Sequence, residues 1–333
     1  MRVDSSPALA SLDHQVRDRV TPFIEDLRRR RLHNQVVAVV VVGSAARGEQ
    51  WPRSAAQSSD IDVMVITRSG SIELGRRIKH VIDRYQHDGL EGGQVPMGTL
   101  SRHRTLLNYE ARWSGCVIEG DRTVLDRIPM MGPRDIPRWE AVRLLFNRLM
   151  EHLMLRTGAT NPERVVQKTY EALGEASLVM QRRYQPTFRG RLQELHERPV
   201  AGDADVNAKV LQALERRFRP DVPVPDGSIS ALRSLRNGLD ATLASYLGEQ
   251  EPVRSQLEKL GRMHRNVPHR LYWLGREALR GSVTLTTLRQ DPSIGVWRMG
   301  LDVLDGITTT YDAHTVLRAW RACPQILDAK ATM

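Results

Sequence analysis

The 333-residue chain reads as a small α/β domain with a mixed sheet, followed by an α-helical bundle, and three observations predict this. The run Val36–Val42 (VVAVVVV) is β-branched, too short for a buried helix and closed by a glycine, so it reads as a central strand. Asp60–Thr67 (DIDVMVIT) reads as a second strand. From Pro137 onward the hydrophobic period becomes helical almost without interruption.

Element by element, residues 14–31 predict an amphipathic helix ending in Arg28-Arg29-Arg30-Arg31, where cations suit the negative end of a helix dipole. Residues 73–88 predict a helix. A weaker strand is expected over 94–100, and Pro96 suits a sheet edge. Another strand over 113–119 turns at Gly120-Asp121. In the second part Val142, Leu145, Phe146, Leu149 and Leu153 line one helix face. Pro162 opens a helix running to about Tyr184. Further helical windows lie at 188–198, 204–218, 229–248, 251–265, 269–280 and 296–306, punctuated by proline and glycine. Two domains follow, 1–135 and 136–333.

Composition closes several classes. At 41% hydrophobic and a mean hydropathy of −0.41 the chain can build a core, yet no stretch approaches the roughly 18 apolar residues of a membrane helix. The N-terminus lacks the apolar run of a secretion signal, so a cytoplasmic location and no membrane partner are expected. Cys116 and Cys323 are too few for a disulfide framework or a cysteine zinc site. The histidines show no metal-binding spacing and no P-loop motif occurs. The net charge of +10 favours polyanionic partners. It sits mostly in the second part, with 20 basic against 17 acidic residues through residue 135 and 29 against 22 beyond.

The segment that carries chemistry is Gly43-Ser44-Ala45-Ala46-Arg47-Gly48-Glu49, followed after Ser44 by 15 residues and then Asp60-Ile61-Asp62. Gly43 would let backbone approach a phosphate, and Ser44 adds a hydroxyl donor. Side chains two apart on a strand share a face, so Asp60 and Asp62 point the same way while Ile61 and Val63 pack inward. Two carboxylates side by side repel unless a cation lies between them. Mg2+, which takes one or two carboxylates plus phosphate oxygens, suits that arrangement.

On these residues the chain resembles the nucleotidyltransferase superfamily that includes DNA polymerase β, especially its minimal and antibiotic-modifying branches. The likeness covers about residues 36–67 and includes the Ala-Arg-Gly-Glu continuation and the serine before Asp60. The resemblance implies a polymerase-β-like domain in which Gly43, Ser44 and Arg47 hold the phosphates of a nucleoside triphosphate (NTP). It implies that Asp60 and Asp62 bind Mg2+, and that a nucleoside monophosphate passes to an acceptor with release of pyrophosphate. A basic residue on an early helix of the second domain reaches the triphosphate in relatives, which makes Lys168, four residues from Arg164, the matching position.

The family's third carboxylate, expected on a neighbouring strand, is missing from 94–100. Asp88 and Glu91 flank that stretch and Glu110 and Glu119 follow it, with Glu91 a possible base; in some antibiotic-modifying relatives the base comes from the helical domain, which makes Glu151, Glu171 and Glu175 candidates too. The acceptor is expected to be a small molecule. The alternatives are an RNA end or a catalytically inactive nucleotide-binding regulator. Arg182, Arg183, Arg189 and Arg191 around Tyr184, Pro186 and Phe188 read either as an anion-binding cluster or as a helix end and turn.

Overall fold

The computed structural model describes residues 12–50, 60–200, 203–225, 227–263, 292–307 and 312–322. The helical window at 269–280, Ser59 and Cys323 lie outside them. Two compact units result. One comprises the described residues up to Ile136 together with Gln185–Gln193 and Glu215–Val222, and the other comprises Pro137–Tyr184, Glu194–Leu214 and the described residues from Pro223 onward. The single boundary expected at 135/136 is therefore incomplete, because two short segments return to the first unit.

The first unit opens with α1 (His14–Arg29), whose N-terminal turn is capped by the Asp13 carboxylate accepting from Gln15 N–H at 2.8 Å. It continues through β1 (Val36–Val42), the short α2 (Gly43–Arg47), β2 (Ile61–Thr67), α3 (Ile72–Arg84), β3 (Leu90–Pro96), α4 (Met97–Leu100), α5 (Leu106–Ser114) and β4 (Cys116–Gly120). The strands form one mixed sheet in the order β3-β2-β1-β4. The strand β1 is central and antiparallel to both β2 and β4, while β2 and β3 run parallel.

Alternation assigns the two faces. Val39, Val41, Ile61, Val63, Val65, Leu90 and Ile118 join the apolar sides of α1 and α3 in one core. Val40, Met64 and Ile66, also buried, point to the other face, where Val40 and Leu125 meet at Gly115.

Two strands differ from expectation. The edge strand spans 90–96 rather than 94–100, and 97–100 forms a helical turn after Pro96. The Gly92-Gly93 pair hides the strand from a pattern reading, yet glycine is required at position 92. Its φ is 146°, and a Cβ there would come within 1.9 Å of the Val63 carbonyl oxygen on β2. The last strand begins at Cys116 rather than 113, because Thr105 caps α5 by accepting from Asn108 N–H at 3.1 Å and helix continues through Ser114.

The regular elements of the second unit's described residues are all helices: α6 (Trp139–Arg156), α7 (Pro162–Met180), the last turn of α8 (Phe188–Glu197), most of α9 (Ala204–Arg216), α10 (Ser228–Leu247), α11 (Val253–Met263), α12 (Pro292–Leu304) and α13 (Ala313–Ala322). The predicted stripe Val142, Leu145, Phe146, Leu149 and Leu153 is fully buried on α6, and Phe146 stacks on Trp297 of α12 with ring centroids 4.5 Å apart. Asn161 caps α7 through Glu163 N–H at 2.8 Å with Pro162 in the first turn. That helix stops at Met180 instead of Tyr184, where Arg182 adopts φ 58°. No helix among the described residues is long and apolar enough to cross a membrane.

Candidate active site

The pairing of β1 with β2 sets Val42 opposite Asp62, so the chain leaving β1 turns at Gly43 directly beside that carboxylate. Gly43 has φ 69°, and a Cβ at this position would sit 3.0 Å from Asp62 Oδ2. Glycine is thus demanded twice, by the backbone conformation and by the carboxylate lying over it. The turn closes on Ser44, whose carbonyl oxygen accepts from Glu49 N–H at 3.0 Å and from Gly48 N–H. Ser44 itself is half-buried. Asp60 lies just before β2, half-buried, and Asp62 is exposed.

The parallel register pairs Ile61 with Leu90 and Asp62 with Glu91. Ile61 and Leu90 are both in the core shared with α1 and α3, so Asp62 and Glu91 share the opposite face, both exposed. The strand adjoining the Asp-x-Asp strand therefore does carry a carboxylate. The stretch in which it was sought lay too far along the chain.

Among the described residues no three His, Cys, Asp or Glu side chains are gathered closely enough to hold a metal ion by themselves. The donors at this end of the sheet nevertheless suit Mg2+. They are hard carboxylate oxygens, and that ion completes its octahedron with water and substrate phosphate rather than with an all-protein cage. A Cβ at Gly43 would lie against the Asp62 carboxylate, so glycine keeps side-chain carbon away from those oxygens.

Other candidates take different positions. Arg47, expected at a phosphate, is a correction: its side chain is 4% exposed and is engaged by Glu49 at 2.8 Å and Glu110 at 3.3 Å. Glu49 in turn accepts from the N–H groups of Phe188 at 2.9 Å and Arg189 at 3.4 Å, which satisfies the first turn of α8. Its carbonyl oxygen receives the Arg217 guanidinium at 3.3 Å. Arg191 pairs with Glu110, and the guanidinium carbons of Arg47, Arg191 and Arg217 lie 5.4, 4.4 and 3.6 Å from the centre of the Phe188 ring. The Ala-Arg-Gly-Glu continuation of the motif is thus a buried clamp on the two returning segments. Nothing local in the sequence pairs Glu49 with residue 188.

The remaining carboxylates divide similarly. Glu119 is held by Arg28 of α1, with both oxygens accepting at 2.7 to 3.1 Å. Asp88 sits in a 3-10 turn with His87 Nε2 at 3.2 Å. In the second unit Glu151 accepts from Arg148 at 2.8 Å and has Lys168 Nζ at 3.9 Å. Glu171 is buried and accepts from Gln167 at 2.8 Å. Arg164, Lys168 and Glu175 are half-buried on α7.

His152 is buried beside Thr169 Oγ1 at 3.1 Å. That hydroxyl already donates to the Val165 carbonyl, so the imidazole is the donor. Burial pushes its pKa down to about 4, which keeps it neutral and unsuited to anion binding. The arginine cluster at 182–191 resolves as a structural helix end: Tyr184 is fully buried, Arg183 pairs with Glu194 at 2.5 Å, and Arg189 stacks on Phe218 at 4.4 Å.

Against known proteins, the chain matches no family model and no curated sequence. The reading therefore rests on geometry.

Proposed function

We propose that the first unit is the catalytic domain of an Mg2+-dependent nucleotidyltransferase. The observation that carries this reading is the convergence at one end of the sheet. Gly43 is set beside Asp62 by the β1/β2 register, Asp60 immediately precedes β2, and Glu91 stands in register on the neighbouring strand. Metal neutralisation and positioning are what phosphoryl chemistry chiefly requires of a protein.

In this reading Asp60 and Asp62 hold the ion, which when bound neutralises charge on the triphosphate of the NTP. Gly43 admits the phosphate to the backbone, and the Ser44 hydroxyl donates to a phosphate oxygen. An acceptor oxygen attacks the α-phosphorus, the bond to the β-phosphate breaks and pyrophosphate leaves. Glu91 takes the acceptor's proton. The Asp62–Glu91 register supports this reading over an inactive nucleotide-binding regulator.

The test is a pair of incubations with α- and γ-labelled NTP, with and without Mg2+. Wild type should transfer the α-label and release labelled pyrophosphate from the γ-labelled substrate. Asp60→Asn and Asp62→Asn should each lower transfer about a thousandfold, the equivalent of about 4 kcal/mol of transition-state stabilisation, without lowering the melting temperature. Transfer of the γ-label would make the protein a kinase, and full activity in both variants would sink the two-carboxylate mechanism.

A further inference from the structure

The face of the sheet turned away from Asp62 and Glu91 is covered by α1 and α3, and between them opens a groove of about 390 Å3 lined by Arg30, Leu32, Glu73, Arg76, Arg77 and His80. Its walls are pinned together by Arg77, whose Nη2 donates to the Arg30 carbonyl oxygen at 3.4 Å. Arg76 and His80, one helical turn apart, are exposed and have no hydrogen-bond or ion-pair partner among the described residues. Behind the groove a single buried carboxylate, Asp26, serves Arg84 at 2.9 Å, Arg30 at 3.2 Å and Arg29 at 3.9 Å. One anion among three cations leaves this end of the unit strongly positive, and Arg31, with φ 55°, is exposed beside it.

We infer that this groove binds the phosphate backbone of an RNA. Guanidinium forks match phosphate oxygens in pairs, and a set of arginines with one glutamate favours a polyanion over a neutral solute. No Phe, Tyr or Trp lines the groove and His80 is its one aromatic ring, so it offers little platform for base stacking and would grip backbone more than read sequence. A membrane surface fits less well, because the one apolar lining residue, Leu32, is 1% exposed and nothing apolar projects to enter a bilayer.

The groove flanks the start of β1, whereas Gly43 follows its end, so the seven residues of that strand separate the two places by about 23 Å at roughly 3.3 Å per residue. A folded RNA spans such a distance and a small acceptor does not. If the transfer reading holds, on which this one clause rests, the groove favours RNA over a small molecule as acceptor.

Binding is measured on the full chain without NTP or metal, so the result stands whether or not the transfer reading does. A fluorescein-labelled hairpin RNA of about two dozen nucleotides is titrated across a salt series, beside inorganic phosphate and phosphatidylserine vesicles. Wild type should bind the hairpin. The double variant Arg76→Glu/Arg77→Glu should weaken binding at least about tenfold and reduce the salt slope by about 1.4 to 1.8, the value for two lost phosphate contacts. The milder Arg76→Gln/Arg77→Gln should fall between, and both should melt like wild type.

Unchanged affinity and slope in the variants would overturn the inference. So would saturable binding of vesicles or of inorganic phosphate with none of the hairpin. Loss of α-label transfer in Asp62→Asn with hairpin binding retained separates the two sites.

Discussion

Two groups of carboxylates meet opposite fates in the first unit. Glu49 and Glu110 are enclosed with Arg47, Arg191 and Arg217 around the Phe188 ring, and every charge in that clamp has a charged or aromatic neighbour within reach. Asp62 and Glu91 instead stand exposed on one face of adjacent strands, with Asp60 beside them at the strand entrance. The first arrangement holds distant segments of chain together. The second gathers like charges, which adds little to stability and which in the proposed function receives a cation and a phosphate. Burial and charge balance, more than residue type, separate the two roles.

The sharpest way to break this comparison is at Glu91. If it takes the acceptor's proton, Glu91→Gln should lower kcat for α-label transfer about 10²- to 10⁴-fold, the usual contribution of a positioned general base. Because the side chain is exposed, the urea midpoint should move by no more than a change of about 0.5 kcal/mol. A large loss of stability with full activity would place Glu91 with the structural group.

Glu49 is the converse case. Glu49→Ala removes one member of an enclosed ion pair and strips the first turn of α8 of its acceptor, leaving Arg47 without its 2.8 Å partner. Breaking a buried pair in this way costs about 3–5 kcal/mol. Urea denaturation should register that loss, and a protease should cut the 185–193 segment sooner in the variant. A midpoint close to wild type would show that the clamp is dispensable.

Residue patterns made one of these regions legible and hid the other, for a physical reason. Strands β1 and β2 declare themselves through unbroken apolar runs, and the Gly43 turn and Asp60/Asp62 pair follow from alternation and chain order, which are local properties. Strand β3 escapes because its close approach to the Val63 carbonyl demands glycine, the residue that most weakens a strand pattern. With the strand displaced, Glu91 reads as one possible base among several and not as the neighbour of Asp62. The clamp lies beyond local reading altogether, since Glu49 meets residues 188 and 217 through bonds whose partners are more than a hundred positions away. For the same reason Arg191 looks like part of a surface cluster until the fold encloses it. The short helix α13 carried too few residues of pattern to be assigned.

The smallest expected effect comes from Glu119, which sequence alone ranks with Glu91 as a displaced third carboxylate. Its oxygens are held by Arg28 in a two-pronged pair, yet both side chains remain about one-third exposed, at 36% and 32%. Water therefore competes for both charges, and pairs of this kind are worth roughly 0–1 kcal/mol even with good geometry. Glu119→Gln keeps the side chain's size and one acceptor oxygen for Arg28, so the urea midpoint should shift by less than that amount and by less again in high salt, where the remaining Coulomb attraction is screened. Transfer of the α-label should stay within about twofold of wild type, since the carboxylate is turned to α1 rather than to the Asp62 face. Measured beside Glu91→Gln in the same assay, the pair of variants decides which strand supplies the third carboxylate. A deep loss of transfer in Glu119→Gln with none in Glu91→Gln would move that role from β3 to β4 and detach it from the register that places Glu91 next to Asp62.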